Sequence, residues 1–191
     1  MTNLPALHRR ATDAFSVRVD GLLPEQFGDP TPCTEWDIGA LLGHNVHENL
    51  WVPPIMDGMT VEQVGDRFER GVLGDDPPGA WHAAAEPACA AIEREGAMER
   101  TVHLSFGDVA GAEYTRQRIV DLVVHTWDLA KAAGLDESLD EDTVSACLAW
   151  GEAWKPMLAQ ASDWFEPPIE PATHAGAQTR LLNVFGRDPA R

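Results

Sequence analysis

The sequence predicts an all-α bundle built around one buried helix that carries a polar stripe. Three observations lead there. Apolar residues recur at helical spacing in several long stretches. Gly/Pro clusters and capping signatures separate those stretches. One stretch, 113–133, is apolar around most of its circumference, as a helix enclosed by others must be. The 191 residues suffice for one ordinary domain with a real core, so a single domain over 1–191 is expected.

The first helix is expected from Leu4 to Phe27, where Leu7, Ala11, Ala14, Phe15, Val19 and Leu22 share a face. Gly28-Asp29-Pro30-Thr31-Pro32 breaks it. Thr34-Glu35-Trp36-Asp37 reads as a capping-box variant with Thr34 as N-cap, opening a second helix to about Trp51, before Pro53-Pro54. Residues 57–79, rich in Gly, Pro and Asp, predict a long crossover with a short helix near Val61 to Arg70. A third helix fits Ala80 to Gly96, and the alternation of Val102, Leu104 and Phe106 fits a short extended segment. The helix Glu113 to Ala133 is closed by Gly134. Ser138-Leu139-Asp140-Glu141 opens a further helix to about Ala161, and the Pro-rich tail from Trp164 ends in a helical turn or two over 177–185. Helices joined by one long crossover make a bundle.

Composition narrows the function. The net charge of -17 repels phosphate backbones and anionic lipid, so neither nucleic acid nor membrane is an expected partner. No apolar run approaches the roughly 20 residues that span a bilayer, and no signal peptide is read at the start. Cys33, Cys89 and Cys147 are odd in number and far apart, which argues against a disulfide framework and for a reducing cytoplasm. The tryptophans leave room for a homodimer.

The stripe carries the chemistry. Tyr114, Arg118, Asp121, His125 and Asp128 fall on one face of the 113–133 helix. A buried carboxylate costs several kcal/mol or more unless it is paired or binds a metal. Asp121 and His125, four apart, lie about 5–6 Å from each other at Cβ and can meet one ion. A third ligand must come from elsewhere. The second helix offers His44 and His47, set among Leu41, Leu42 and Val46. Three protein ligands with one open position form a reactive metal site, whereas structural zinc is usually closed by four. The alternative is a hydrogen-bonded salt bridge with no ion. His8, His82, His103, His174 and Arg187 are expected at the surface, and the tryptophans in core and pocket walls. Cys33 is expected just ahead of a helix N-terminus, which stabilises a thiolate.

Taken in order, several motifs resemble one family: Thr31-Pro32-Cys33-Thr34-Glu35-Trp36-Asp37, Leu41-Leu42-Gly43-His44, the run Arg118 to Ala130, and Phe185-Gly186-Arg187-Asp188-Pro189. The chain resembles the actinobacterial metal-binding proteins of the DinB/YfiT-like superfamily, and more closely the N-terminal domain of mycothiol-dependent maleylpyruvate isomerase. The resemblance implies a DinB-like four-helix bundle with short extra helices. It implies a divalent metal between helices, held by His44, Asp121 and His125, with His47 as an additional candidate ligand. Arg118 and Asp128 would support the metal site or orient substrate. Zn2+, Ni2+ or Fe2+ would suit such donors, and mycothiol is the implied thiol cofactor. The implied partners are that thiol and a small electrophile, and the implied activity is a mycothiol-dependent S-transferase or isomerase. A non-catalytic metal-binding protein and a metal-dependent hydrolase are the alternatives. Relatives usually carry Glu where this chain has Asp121. The isomerase also has a C-terminal domain that we expect to be missing here, since the chain ends at Arg191, and maleylpyruvate isomerisation with it.

Overall fold

The computed structural model describes residues 2–69, 71–158 and 166–190. Contacts divide the chain into two compact units, Met1–Asp136 and Glu137–Arg191. The first holds α1 (Leu4–Asp20), α2 (Ile38–Met56), α3 (Val61–Val64), α4 (Pro77–Glu93), the hairpin β1 (Thr101–Leu104) and β2 (Gly107–Ala110), and α5 (Gly111–Ala133). The second holds α6 (Glu141–Leu158) and α7 (Ala177–Val184).

In the first unit, α1, α2, α4 and α5 form the predicted four-helix bundle. α1 packs on α5 and α4, and α2 packs on α4 and α5, which closes a ring of four. Phe15 and Trp81 meet across α1 and α4 with ring centroids 4.4 Å apart, and the Trp81 indole N–H donates to the Ser16 hydroxyl at 2.8 Å. The segment 57–76 is the expected crossover and carries α3.

Most element boundaries moved, each for a local reason. α1 stops at Asp20 instead of Phe27. Gly21 caps it, and Pro24–Gly28 forms a separate 3-10 turn. Gln26 of that turn donates to the Ala133 carbonyl at 3.1 Å, which ties it to the end of α5. The N-cap of α2 is Asp37, not Thr34: its carboxylate accepts the Ala40 N–H at 2.7 Å. Residues 31–36 instead fold as a tight loop. The Thr31 N–H donates to the Trp36 carbonyl (3.1 Å), and the Trp36 N–H to the Cys33 carbonyl (2.8 Å). Replacing Asp37 by Ala should cost about 1 kcal/mol of stability, read as a lower denaturant midpoint at unchanged slope.

α2 also continues through Pro53 and Pro54. An interior proline costs about 3 kcal/mol, but Val52, Ile55 and Met56 are almost wholly buried, and burying three such side chains offsets it. α4 begins three residues earlier than expected, at Pro77, because Asp76 caps it through the Gly79 N–H (3.0 Å). The short helix predicted to Arg70 ends at Val64, where Gly65 takes φ 62; Arg70 itself lies outside the described residues. The extended segment is real and has a partner strand. Leu104 pairs with Gly107 across the two-residue loop Ser105-Phe106, and Gly107 takes φ 130.

α5 starts two residues early and ends as expected on Gly134, in the left-handed conformation (φ 67). Most of its residues from Tyr114 to Ala130 are buried. In the second unit the cap of α6 is Asp140, which accepts the Thr143 N–H at 2.9 Å, rather than Ser138. The expected end of that helix, Ala161, and the start of the tail at Trp164 lie outside the described residues. Arg187, expected at the surface, is 7% exposed, and its Nη1 donates to the Phe185 carbonyl at 2.9 Å. No helix among the described residues is long and apolar enough to cross a membrane.

Candidate metal centre

α2 and α5 bring the predicted residues together. His44 lies two turns into α2, and Asp121 and His125 lie one turn apart near the middle of α5. His44 Nε2 is 3.5 Å from Asp121 Oδ1 and 3.4 Å from Oδ2. His125 Nε2 is 3.2 Å from Asp121 Oδ1. One ligand atom from each residue falls within 4.8 Å of both others. For zinc bonds of about 2.0–2.2 Å to nitrogen and oxygen, neighbouring ligand atoms on a tetrahedron stand roughly 3.3–3.5 Å apart. The His44–carboxylate separations fall in that range and the His125 one, at 3.2 Å, lies just below it. The shorter aspartate thus still meets both imidazoles. The cluster opens toward solvent on the α2 side: the side chain of His44 is 26% exposed and that of His125 only 7%.

His125 is gripped from behind. Its Nδ1 lies 3.0 Å from Oδ2 of Asp128, which is completely buried. A carboxylate on one imidazole nitrogen sets the tautomer and aims the other nitrogen at the site, as such pairs do around bound metals. Arg118, 3% exposed, crosses to the opposite side of Asp121. Its Nη1 donates to Asp121 Oδ2 (2.8 Å) and Glu48 Oε2 (3.1 Å), and Nη2 to Asn49 Oδ1 (3.4 Å).

Charges here tune one another. Burial would raise the Asp121 carboxyl, but the neighbouring His125 and His44 charges and their hydrogen bonds hold it well below the usual carboxylate range. Burial would likewise lower His125, yet the Asp121 charge and hydrogen bonds to Asp121, Asp128 and Cys33 push it well above an ordinary histidine. Burial pushes Glu48 up, and contacts with His47 and Arg118 bring it below its ordinary value.

His47 is not part of the cluster. Its Nε2 accepts the Trp51 indole N–H at 3.0 Å, and its Nδ1 lies 3.7 Å from Glu48. Glu48 and Cys33 sit where the sequence did not lead one to expect them, and Trp36 takes its expected place in a pocket wall. Glu48 completes the Arg118 ion pairs, and its position four residues after His44 was the available signal. Trp36 stacks beside His44 and His125, with centroids 4.8 and 5.8 Å away. Cys33 does not sit at a helix N-terminus, since α2 begins at Ile38. It sits against Asp128 and His125 instead. His8, expected to be solvated, is 1% exposed inside the bundle, with Nδ1 3.6 Å from the Cys89 sulfur.

Residues 8–130 match the family model described as the mycothiol maleylpyruvate isomerase N-terminal domain. The chain belongs to that family. Two uncharacterised proteins of Mycobacterium tuberculosis, from strains CDC 1551 / Oshkosh and H37Rv, are each 34% identical over 150 residues, which is 76% of this chain and 76% of theirs. Crystal structures of mycothiol-dependent maleylpyruvate isomerase share the fold at 16% identity. One superposes with a TM-score of 0.64, covering 82% of this chain and 75% of that one. A histidine-to-alanine mutant of the enzyme superposes with the same score over 83% of this chain. The matched span of this isomerase-domain family contains α2 and all but the last three residues of α5, and so the whole His44–Asp121–His125 cluster.

Proposed function

We propose that this chain binds one divalent metal through His44, Asp121 and His125 and uses it to activate a low-molecular-weight thiol, mycothiol, toward a small electrophile. The observation that carries the reading is the convergence of three donor atoms within 4.8 Å of one another, with both imidazoles 3.2–3.5 Å from the Asp121 carboxylate, while Asp128 holds the far nitrogen of His125. Family membership supports mycothiol as the thiol. Such an ion supplies Lewis acidity, which favours the thiolate form of a thiol that coordinates it.

The chain's own residues do the rest. His125 must give up its Nε2 proton before that nitrogen can ligate, so uptake releases a proton and binding strengthens as pH rises. Asp128 keeps the ring oriented through the exchange. Trp36 forms an apolar wall beside both imidazoles and limits water on that side. Arg118 holds Asp121 Oδ2 and leaves Oδ1 toward both histidines. With His44 part-exposed, thiol and electrophile would enter over α2, and the reaction would be a conjugation or a thiol-assisted isomerisation.

Protein purified without chelator should contain close to one equivalent of zinc, nickel or iron by elemental analysis, and His44→Ala should lose most of it. Turnover of an electrophile should then require added thiol. Wild-type protein without stoichiometric metal, or His44→Ala with an undiminished load, refutes the reading.

A second reading rests on the Arg118–Asp121 ion pair. That pair and the two histidines already satisfy the carboxylate without an ion, as a retained but non-catalytic cluster would. Absence of metal together with undiminished stability in chelator favours it.

A further inference from the structure

The back of His125 faces a second donor set that the reading above does not use. Cys33 Sγ lies 3.3 Å from Asp128 Oδ2 and 3.9 Å from His125 Nδ1, and that nitrogen is 3.0 Å from the same carboxylate oxygen. Sulfur, nitrogen and oxygen thus form a triangle within 4.8 Å. With metal–sulfur bonds of about 2.3 Å and metal–nitrogen or metal–oxygen bonds of about 2.0–2.2 Å, the edges of such a face are roughly 3.3–3.6 Å. The three observed edges bracket that range.

We infer that Cys33, His125 Nδ1 and Asp128 form a second metal site, selective for a thiophilic divalent ion. A thiolate donor beside imidazole and carboxylate favours soft and borderline ions over magnesium or calcium. The geometry is fixed in advance from both sides. Asp128 and His125 are one turn apart on the rigid, buried middle of α5. Cys33 is held in the tight loop before α2, where its N–H donates to the Thr31 hydroxyl at 3.1 Å and its carbonyl accepts from Trp36. Cys33 is part-exposed, so the ion approaches from the loop side.

Binding replaces the thiol S–H bond with a sulfur–metal bond and delivers the proton to solvent. It likewise replaces the Nδ1–H bond of His125 with a nitrogen–metal bond and delivers that second proton to solvent, while the imidazole keeps its Nε2 proton. A neutral imidazole has one lone pair for an ion, so the two sites draw on His125 alternately. A soft ion at Cys33 therefore takes the shared ligand from the His44–Asp121 side and weakens binding there.

The two sites share His125 but not His44 or Asp121, so a His44→Ala background separates this inference from the proposed function. Cadmium chloride titrated into that variant should raise a cadmium–thiolate absorption band that saturates at one equivalent. Adding Cys33→Ser should abolish the band while leaving the thermal unfolding midpoint of the metal-free protein unchanged; if the serine variant does not fold, Cys33→Ala is read the same way. The buried Cys89 and Cys147 remain in every variant as internal controls. No band in His44→Ala, or a band that survives loss of Cys33, overturns the site.

Discussion

Arg118→Met should destabilise the metal-free protein by about 3 kcal/mol, because truncating one member of a buried ion-pair network leaves its partners uncompensated. The guanidinium is 3% exposed and is the shared partner of Asp121 and Glu48. Methionine fills a similar volume, so the loss reports charge more than packing. The two carboxylates are 18% and 32% exposed, so water screens part of the penalty and the lower end of the usual range applies. Urea unfolding of chelator-treated protein measures it as a lower midpoint at unchanged slope. A divalent ion at Asp121 would supply part of the missing positive charge, so the deficit should shrink in zinc-saturated protein. A deficit below about 1 kcal/mol without metal would mean that the pair is no stronger than a surface one.

The second large effect is acid sensitivity from His8. Burial, then the charges of Arg118 and Arg9, lower this histidine from 6.5 to about 3. The folded protein therefore keeps His8 neutral where the unfolded chain protonates it. Stability from this group is complete above about pH 6.5 and falls as pH drops toward 3. Linkage gives a loss of about 3 kcal/mol between pH 6.5 and 4. The stripe contributes little across this window. Asp121, depressed in the fold, loses stabilisation only as pH falls below the ordinary carboxylate value. His125, raised in the fold, loses it only as pH rises above the ordinary histidine value. Urea midpoints at pH 6.5 and 4 should differ strongly in wild type and much less in His8→Leu. Equal slopes with pH in both proteins would show that His8 is not the titrating group.

Asp121 and His125 were visible in the sequence because a polar stripe on an otherwise apolar helix has only a few physical explanations, and four-residue spacing places both groups on one face. Asp128 and Arg118 came with the same stripe. His44 was harder: spacing alone left it level with His47, and the resemblance favoured it. The tertiary structure separates them, since His47 turns to Trp51 and Glu48 while His44 turns to Asp121. Cys33 departs from its expected surroundings because Thr34 resembles an N-cap. In the fold, Asp37 wins that role, and the loop it leaves behind places the sulfur against α5.

By itself the sequence determined the helical class, the buried character of α5, its stop at Gly134 and the polar stripe. These depend on periodicity and local backbone chemistry, which neighbours in the chain decide. The caps of α2, α4 and α6, the passage of α2 through two prolines and the strand partner at 107–110 were decided by tertiary structure. Competing cap signals differ by about a kilocalorie per mole, so side-chain contacts in the folded chain choose among them; in α2, the burial of Val52, Ile55 and Met56 offsets the larger cost of the prolines. The interior placement of His8, and the choice of which side chain from α2 and from the 31–36 loop faces His125, were likewise decided only by packing. Contacts between helices far apart in the chain leave no periodic trace in either segment alone.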